Sequence, residues 1–222
     1  MLYSLMMFDN NTYTTYDDAD GMRGKGGLNI DYAARVNQSF QIYNSSHTHV
    51  DSSKGYIKFD VEKELGDCAK FPFGFISDHG ATKPCIYMKL NNIWSWNPEP
   101  IDAEDLKDNP DWPQSLKTNF QKLTKDERQQ IFVDCQGDTN SDREAIKEGV
   151  TFMPKTKGFP IKYFPYKGNK AQYLPPLVAL QFDGNKLSSF IEEMITVKCT
   201  AYFKGGTSEG DFRIRFQHKN FR

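Results

Sequence analysis

Ile195-Thr196-Val197-Lys198-Cys199-Thr200-Ala201-Tyr202-Phe203 is the stretch that decides the fold. Ile195, Val197, Cys199, Ala201 and Phe203 recur at every second position, which places them on one face of a long strand. The pattern returns on either side. Phe212, Ile214 and Phe216 alternate with Arg213, Arg215 and Gln217. Ile86, Met88 and Leu90 alternate with Tyr87 and Lys89, and Ile57, Phe59 and Val61 with Lys58, Asp60 and Glu62. Ile131-Phe132-Val133 leads into Cys135 as a shorter strand, and Leu177 to Phe182 follows the Pro175-Pro176 break. Alternation of this kind is expected of antiparallel strands with one wet face. Several short strands joined by long loops predict a mainly β chain, an antiparallel β-sandwich.

Between the strands the sequence reads as connection. Residues 98–114 hold Pro98, Pro100, Pro110 and Pro113 and predict an irregular link. Residues 138–150 predict a helical turn around Glu144 to Lys147. Val36, Phe40 and Tyr43 fall at helical spacing after Asp31, so a short N-terminal amphipathic helix is expected over about 31–43. Residues 1–29 read as extended or irregular.

The chain has 222 residues, 28 Lys+Arg against 29 Asp+Glu, and a net charge of −1. That balance supplies no basic field for phosphates, so nucleic acid is not an expected partner. Aromatics at 14% exclude a disordered chain and favour strands. No apolar run approaches 18 residues, and the N-terminus lacks the pattern of a cleaved signal peptide.

No arrangement of residues predicts catalysis. Ser77-Asp78-His79-Gly80 holds triad residue types, but neighbours in sequence cannot form the relay. His47 and His49 lack further ligands at metal-site spacing, and no metal or cofactor is expected. Gly21 to Gly27 fails the phosphate-loop spacing. Asp102, Glu104 and Asp105 read as solvated loop carboxylates, and so do Asp17, Asp18 and Asp20. Trp94 and Trp96 fall on one face of a strand end, and Trp112 precedes a proline. These indoles suit core or loop anchoring, with sugar or partner contact as the other reading.

Cys68, Cys85, Cys135 and Cys199 form no CxxC pair, and four cysteines allow three pairings. Sequons at Asn10, Asn37 and Asn44 crowd the first 44 residues. They favour an oxidising compartment and mark expected glycosylation sites.

The densest run of aromatics and prolines is Tyr163-Phe164-Pro165-Tyr166-Lys167-Gly168, continued by Tyr173-Leu174-Pro175-Pro176-Leu177-Val178-Ala179-Leu180-Gln181-Phe182. It closely resembles the Y-Y-P-Y-Y-G-K … Y-L-Q-P-L-L-A-V-Q-F stretch of sodium/potassium-transporting ATPase β subunits. Leu65-Gly66-Asp67-Cys68 is similar to that family's L-G-N-C. Lys83-Pro84-Cys85-Ile86-Tyr87-Met88-Lys89-Leu90-Asn91 is similar to its G-K-P-C-I-I-I-K-L-N. Cys135-Gln136-Gly137 is similar to its Q-C-x-G, and Val197-Lys198-Cys199-Thr200-Ala201-Tyr202 to its I-E-C-K-A-Y. The resemblance covers about residues 57–217, with its motifs in the family's order.

The resemblance implies an immunoglobulin-like sandwich with Cys68 bridged to Cys85 and Cys135 to Cys199. Loop entropy puts the bridges at about 3 and about 4 kcal/mol. With Cys199 facing inward, the second is expected to staple strands across the core. The family's third, N-terminal disulfide has no counterpart, because no cysteine precedes Cys68. The resemblance also implies an extended juxtamembrane segment over 1–29 and an extracellular β-sandwich domain over 30–222. The family's transmembrane helix would lie before this chain, with Met1 to Phe8 as its last turns.

The implied role is that of a non-catalytic subunit at the extracellular side of the plasma membrane. Its partner would be the catalytic α subunit of a P-type cation pump. The role is to support folding, membrane delivery and potassium affinity of that subunit. Tyr163, Phe164, Pro165, Tyr166, Gly168, Tyr173, Leu174 and Pro176 are the residues carried over as its contact. Two alternatives remain open at this point. One is a proton/potassium ATPase β subunit. The other is an adhesion or carbohydrate-binding ectodomain acting without α, suggested by Trp94, Trp96 and the sequons.

Overall fold

The computed structural model describes residues 5–7, 36–38, 40–41, 59–74, 83–168, 173–187 and 194–215. Among these residues eight strands form two antiparallel sheets: β1 (Leu5–Met7), β2 (Cys85–Leu90), β3 (Gln130–Gly137), β4 (Val150–Met153), β5 (Gly158–Pro160), β6 (Val178–Phe182), β7 (Met194–Phe203) and β8 (Gly206–Arg215). One sheet runs β1-β2-β6-β4 and the other β5-β3-β7-β8. Between them lies a single apolar layer. Ile86, Met88, Leu90, Val178, Leu180 and Phe182 come from the first sheet, and Ile131, Val133, Ile195, Val197 and Ala201 from the second. The expected β-sandwich is therefore present, and an immunoglobulin-like arrangement is compatible with it.

The strand that decided the fold behaves as its alternation predicts. Ile195, Val197, Cys199, Ala201 and Phe203 all face the central layer. β7 pairs with β8 along its whole length, from Met194 opposite Arg215 to Phe203 opposite Gly206.

The expectation of a wet outer face holds over only part of the molecule. Tyr87 and Ala179 point away from the sandwich core, yet both are fully buried. They lie beneath a second cluster built from Val36, Phe40, Phe59, Val61, Leu65, Phe73 and Leu177. On the other side Phe132 and Tyr202 are covered by Ile101, Leu116 and Phe120. β2 and β6 thus bury apolar residues on both faces, whereas β3 and β7 carry an apolar outer cover only at Phe132 and Tyr202 and leave Gln136 and Lys198 exposed.

The covers explain two further departures. Val61 does not continue a strand but opens helix α1 (Val61–Leu65), because Asp60 caps it by accepting from the Lys63 N–H at 3.1 Å. Val61 and Leu65, four apart, then bury together. Residues 98–114 are not wholly irregular. They hold α2 (Ala103–Asp108) and the start of α3 (Gln114–Lys122), whose Leu116 and Phe120 pack onto the sheet. The helical turn expected near Glu144 is a ten-residue helix, α4 (Asn140–Gly149), with Ala145 and Ile146 closing onto the central layer.

Asp102 is no free loop carboxylate. It caps α2, accepting from the N–H groups of Glu104 at 2.8 Å and Asp105 at 3.0 Å, while Asp105 returns a carboxylate to the Asp102 N–H. Lys204 in the β7–β8 turn pairs with it at 3.0 Å. The Asp105 N–H, then the Lys204 ammonium, hold its carboxyl at about 2. A carboxyl held below its unfolded value favours folding above that value and loses the contribution as pH falls. We expect Asp102 to stay ionised down to about pH 2 in a carbon-detected NMR titration. A midpoint at the ordinary aspartate value of 3.8 would mean that the capping box does not form in solution.

Leu5–Met7 pair antiparallel with β2, Leu5 opposite Leu90 and Met7 opposite Met88, and do not end a helix. Residues 36–38 and 40–41 are helical, within the helix expected over 31–43. The Gly21–Gly27 run, Asp17, Asp18, Asp20, His47, His49, Ile57, Ser77 to Gly80 and Phe216 lie outside the described residues.

Candidate functional site

Both cysteine pairs are bonded: Cys68 to Cys85 and Cys135 to Cys199. The first ties the short 3-10 helix Gly66–Ala69 to the start of β2, inside the outer cover. Tyr87 reinforces that tie, its hydroxyl donating to the Cys68 carbonyl at 2.5 Å. The second bridge does not cross between the sheets, as the inward face of Cys199 had suggested. Cys135 and Cys199 are register partners on neighbouring strands β3 and β7 of one sheet, with Cα atoms 4.0 Å apart. Such a pair faces one side of one sheet, so the bond links β3 to β7 directly.

The aromatic run enters this frame from β5 through a short 3-10 turn, Ile161–Tyr163. Tyr163 is buried against Phe59, ring centroids 5.3 Å apart. Burial, with the carboxylates of Glu64 and Asp60 nearby, pushes its phenol up to about 12. The ring is therefore a neutral packing group at physiological pH. Phe164 is half-buried against Trp96 at 5.7 Å, and a cis peptide joins it to Pro165. Tyr166 and Tyr173 are both buried, with centroids 5.0 Å apart. Leu174 and Pro176 are buried beside them.

Most of the residues carried over as partner contacts thus point into the domain. Tyr163, Tyr166, Tyr173, Leu174 and Pro176 are buried, and Phe164, Pro165 and Gly168 are half-buried. The two tryptophans read together in the sequence separate. Trp96 packs against Phe203 at 5.3 Å, under the core, whereas Trp94 is 69% exposed. Trp112 is a packing residue, its ring 5.2 Å from that of Tyr202.

Trp94 sits on the aromatic run. It bridges Tyr166 in parallel, and the Ser95 N–H donates to the Tyr166 carbonyl at 2.7 Å. Gly168, at φ +86°, lies where a Cβ would come within 2.5 Å of the indole Cζ3. Only glycine accommodates both that backbone and that ring. Sequence reasoning missed this pairing because 72 positions separate Trp94 from Tyr166 and no local spacing signals it.

Asn37 is half-buried in the N-terminal helical segment, while Asn10 and Asn44 lie outside the described residues. Among the described residues no group of three or more His, Cys, Asp or Glu is placed to hold a metal. No helix among them is long and apolar enough to cross a membrane.

The family profile described as sodium/potassium ATPase beta chain matches residues 29–215. The chain belongs to this family. It is 36% identical over 152 residues to the sodium/potassium-transporting ATPase subunit beta-1 of Drosophila melanogaster, covering 68% of this chain and 44% of the relative. The beta-2 subunit of the same fly is 35% identical over 139 residues, 61% of this chain and 40% of the relative. The beta-1 subunit of Tetronarce californica is 31% identical over 236 residues, 85% of this chain and 73% of the relative. The chain thus spans less than half the length of the two fly relatives. Family membership supports a β-subunit role, and it places the bridges and the aromatic run in the part of the sequence that carries the match.

Proposed function

We propose that this chain is the non-catalytic β subunit of a sodium/potassium-transporting P-type ATPase. Its bridged sandwich lies on the extracellular side of the plasma membrane, against the catalytic subunit. It supports folding and membrane delivery of that subunit and adjusts its potassium affinity. The family match over residues 29–215 is the observation that carries this reading. A covered sandwich with two internal bridges suits it, since a rigid body loses little entropy on docking. The residues of the aromatic run serve the contact by fixing the shape of the surface. Asn10, Asn37 and Asn44 are the glycosylation sites of such a subunit.

The test is delivery. The chain, with its native upstream sequence, is expressed with the catalytic subunit in cells depleted of their own β chains. We expect surface-labelled catalytic subunit and potassium-activated ATPase activity to rise several-fold over cells without it. Equal surface labelling with and without the chain would reject the role. Rescue of a proton/potassium pump alone would reassign the partner.

A further inference from the structure

The aromatic run is turned inward, and it presents one ring outward. Trp94 is 69% exposed while Tyr166 and Tyr173 behind it are buried. Its seat is rigid: a parallel bridge to Tyr166, an edge-to-face ring contact at 6.3 Å, and the flat surface of Gly168 against its six-membered ring. A large ring already held in one place has little freedom left to lose on docking. Tryptophan is also among the residues that dominate binding energy at interfaces.

The surroundings define what fits. Asn91-Asn92-Ile93-Trp94-Ser95-Trp96-Asn97-Pro98 carries no charged residue, and Asn92, Ser95 and Asn97 are exposed. The amide and hydroxyl groups of this segment match backbone N–H and carbonyl groups, and exposed Lys167, between Tyr166 and Gly168, is the charge that follows the seat in sequence. Residues 91–98 offer no counter-charge to a partner's ammonium and no cation of their own to a carboxylate, so an uncharged group suits them best.

We infer that Trp94 is the exposed anchor by which this chain holds the catalytic subunit. An uncharged apolar side chain on an extracellular loop of that subunit covers the indole, and Asn92, Ser95 and Asn97 bond the loop's backbone. Tyr166, Gly168 and Tyr173 position the ring and do not touch the partner. The inference rests on the subunit role proposed above.

The full chain and the catalytic subunit are co-expressed, and the catalytic subunit recovered on the chain is quantified. Trp94→Ala and Trp94→Gln are expected to lower recovery about tenfold, with both bridges and the unfolding midpoint retained. Trp94→Phe keeps most of it. Recovery by the native chain is expected to be unchanged between about 0.1 and about 0.5 M salt, as a neutral contact requires. Native-like recovery by Trp94→Ala, beside a native chain that does recover the subunit, overturns the anchor and leaves the subunit role standing. A loss of recovery that follows a falling midpoint across the three variants also overturns the anchor, because the ring would then be structural. Collapse of recovery in high salt overturns the neutral contact. A native chain that recovers none overturns the role itself.

Discussion

Tyr87→Ala is expected to lower unfolding stability by about 3–5 kcal/mol, the range for removing a fully buried ring. Tyr87 stands on the face of β2 that points away from the central layer, which a two-layer sandwich would leave wet. Here the ring is completely enclosed, 5.0 Å from Phe40 and 6.3 Å from Phe73. Its hydroxyl also donates to the Cys68 carbonyl, so truncation leaves a buried acceptor unpaired. Tyr87→Phe separates the two effects, since it keeps the ring and loses only the hydrogen bond, at about 1 kcal/mol. Urea unfolding of the oxidised chain measures both. A loss under 1 kcal/mol for the alanine variant would mean that Val36, Phe40 and residues 59–74 do not cover this sheet in solution.

Loss of the Cys135–Cys199 bridge is the second large effect. Replacing both cysteines by alanine removes a link of 64 residues' separation, worth about 4 kcal/mol on chain entropy. The Cys68–Cys85 link, at 17 residues' separation, is worth about 3 kcal/mol on the same scale. The order is the informative part. Both bridges are buried, so differences in exposure do not set the ranking. Non-reducing urea unfolding of the two double variants should place the longer link as the more stabilising. The reverse order would mean that the unfolded chain already holds β3 and β7 together.

What could be read from the sequence, and what could not, divides on a physical line. The long strand from Met194 to Phe203 was legible because its outer positions are mostly polar, leaving the alternation clean. β2 was legible as a strand, but its environment was not. Tyr87 has a polar tip and reads as a solvent-facing residue, although it finds its partner 19 positions away at Cys68. Phe59 and Val61 alternate like a strand, yet the Asp60 cap and the Val61–Leu65 spacing favour a helix, and the local hydrogen bond wins over the short alternation. Four prolines hid α2 and α3, although the Asp102–Asp105 box was there to be read. At the site, the aromatic run stood out by composition alone. Its inward direction did not, because Tyr163 packs on Phe59 and Tyr166 on Trp94, both distant in the sequence.

The strand order has a consequence for the chain as it is made. β2 is complete at Leu90 with β1 available for one edge, but its other neighbour β6 begins only at Val178, and β3, flanked by β5, waits for β7 on its other edge. Nearly half the molecule must leave the ribosome before either sheet can close. At ordinary synthesis rates that interval is on the order of ten seconds. During it β2 keeps one edge open to other chains. The Cys68–Cys85 pair, whose two ends emerge early and close together, is able to join during that wait. The Cys135–Cys199 pair is not. The early part of the chain is thus vulnerable for longest, most of all between the appearance of its second cysteine and its fourth.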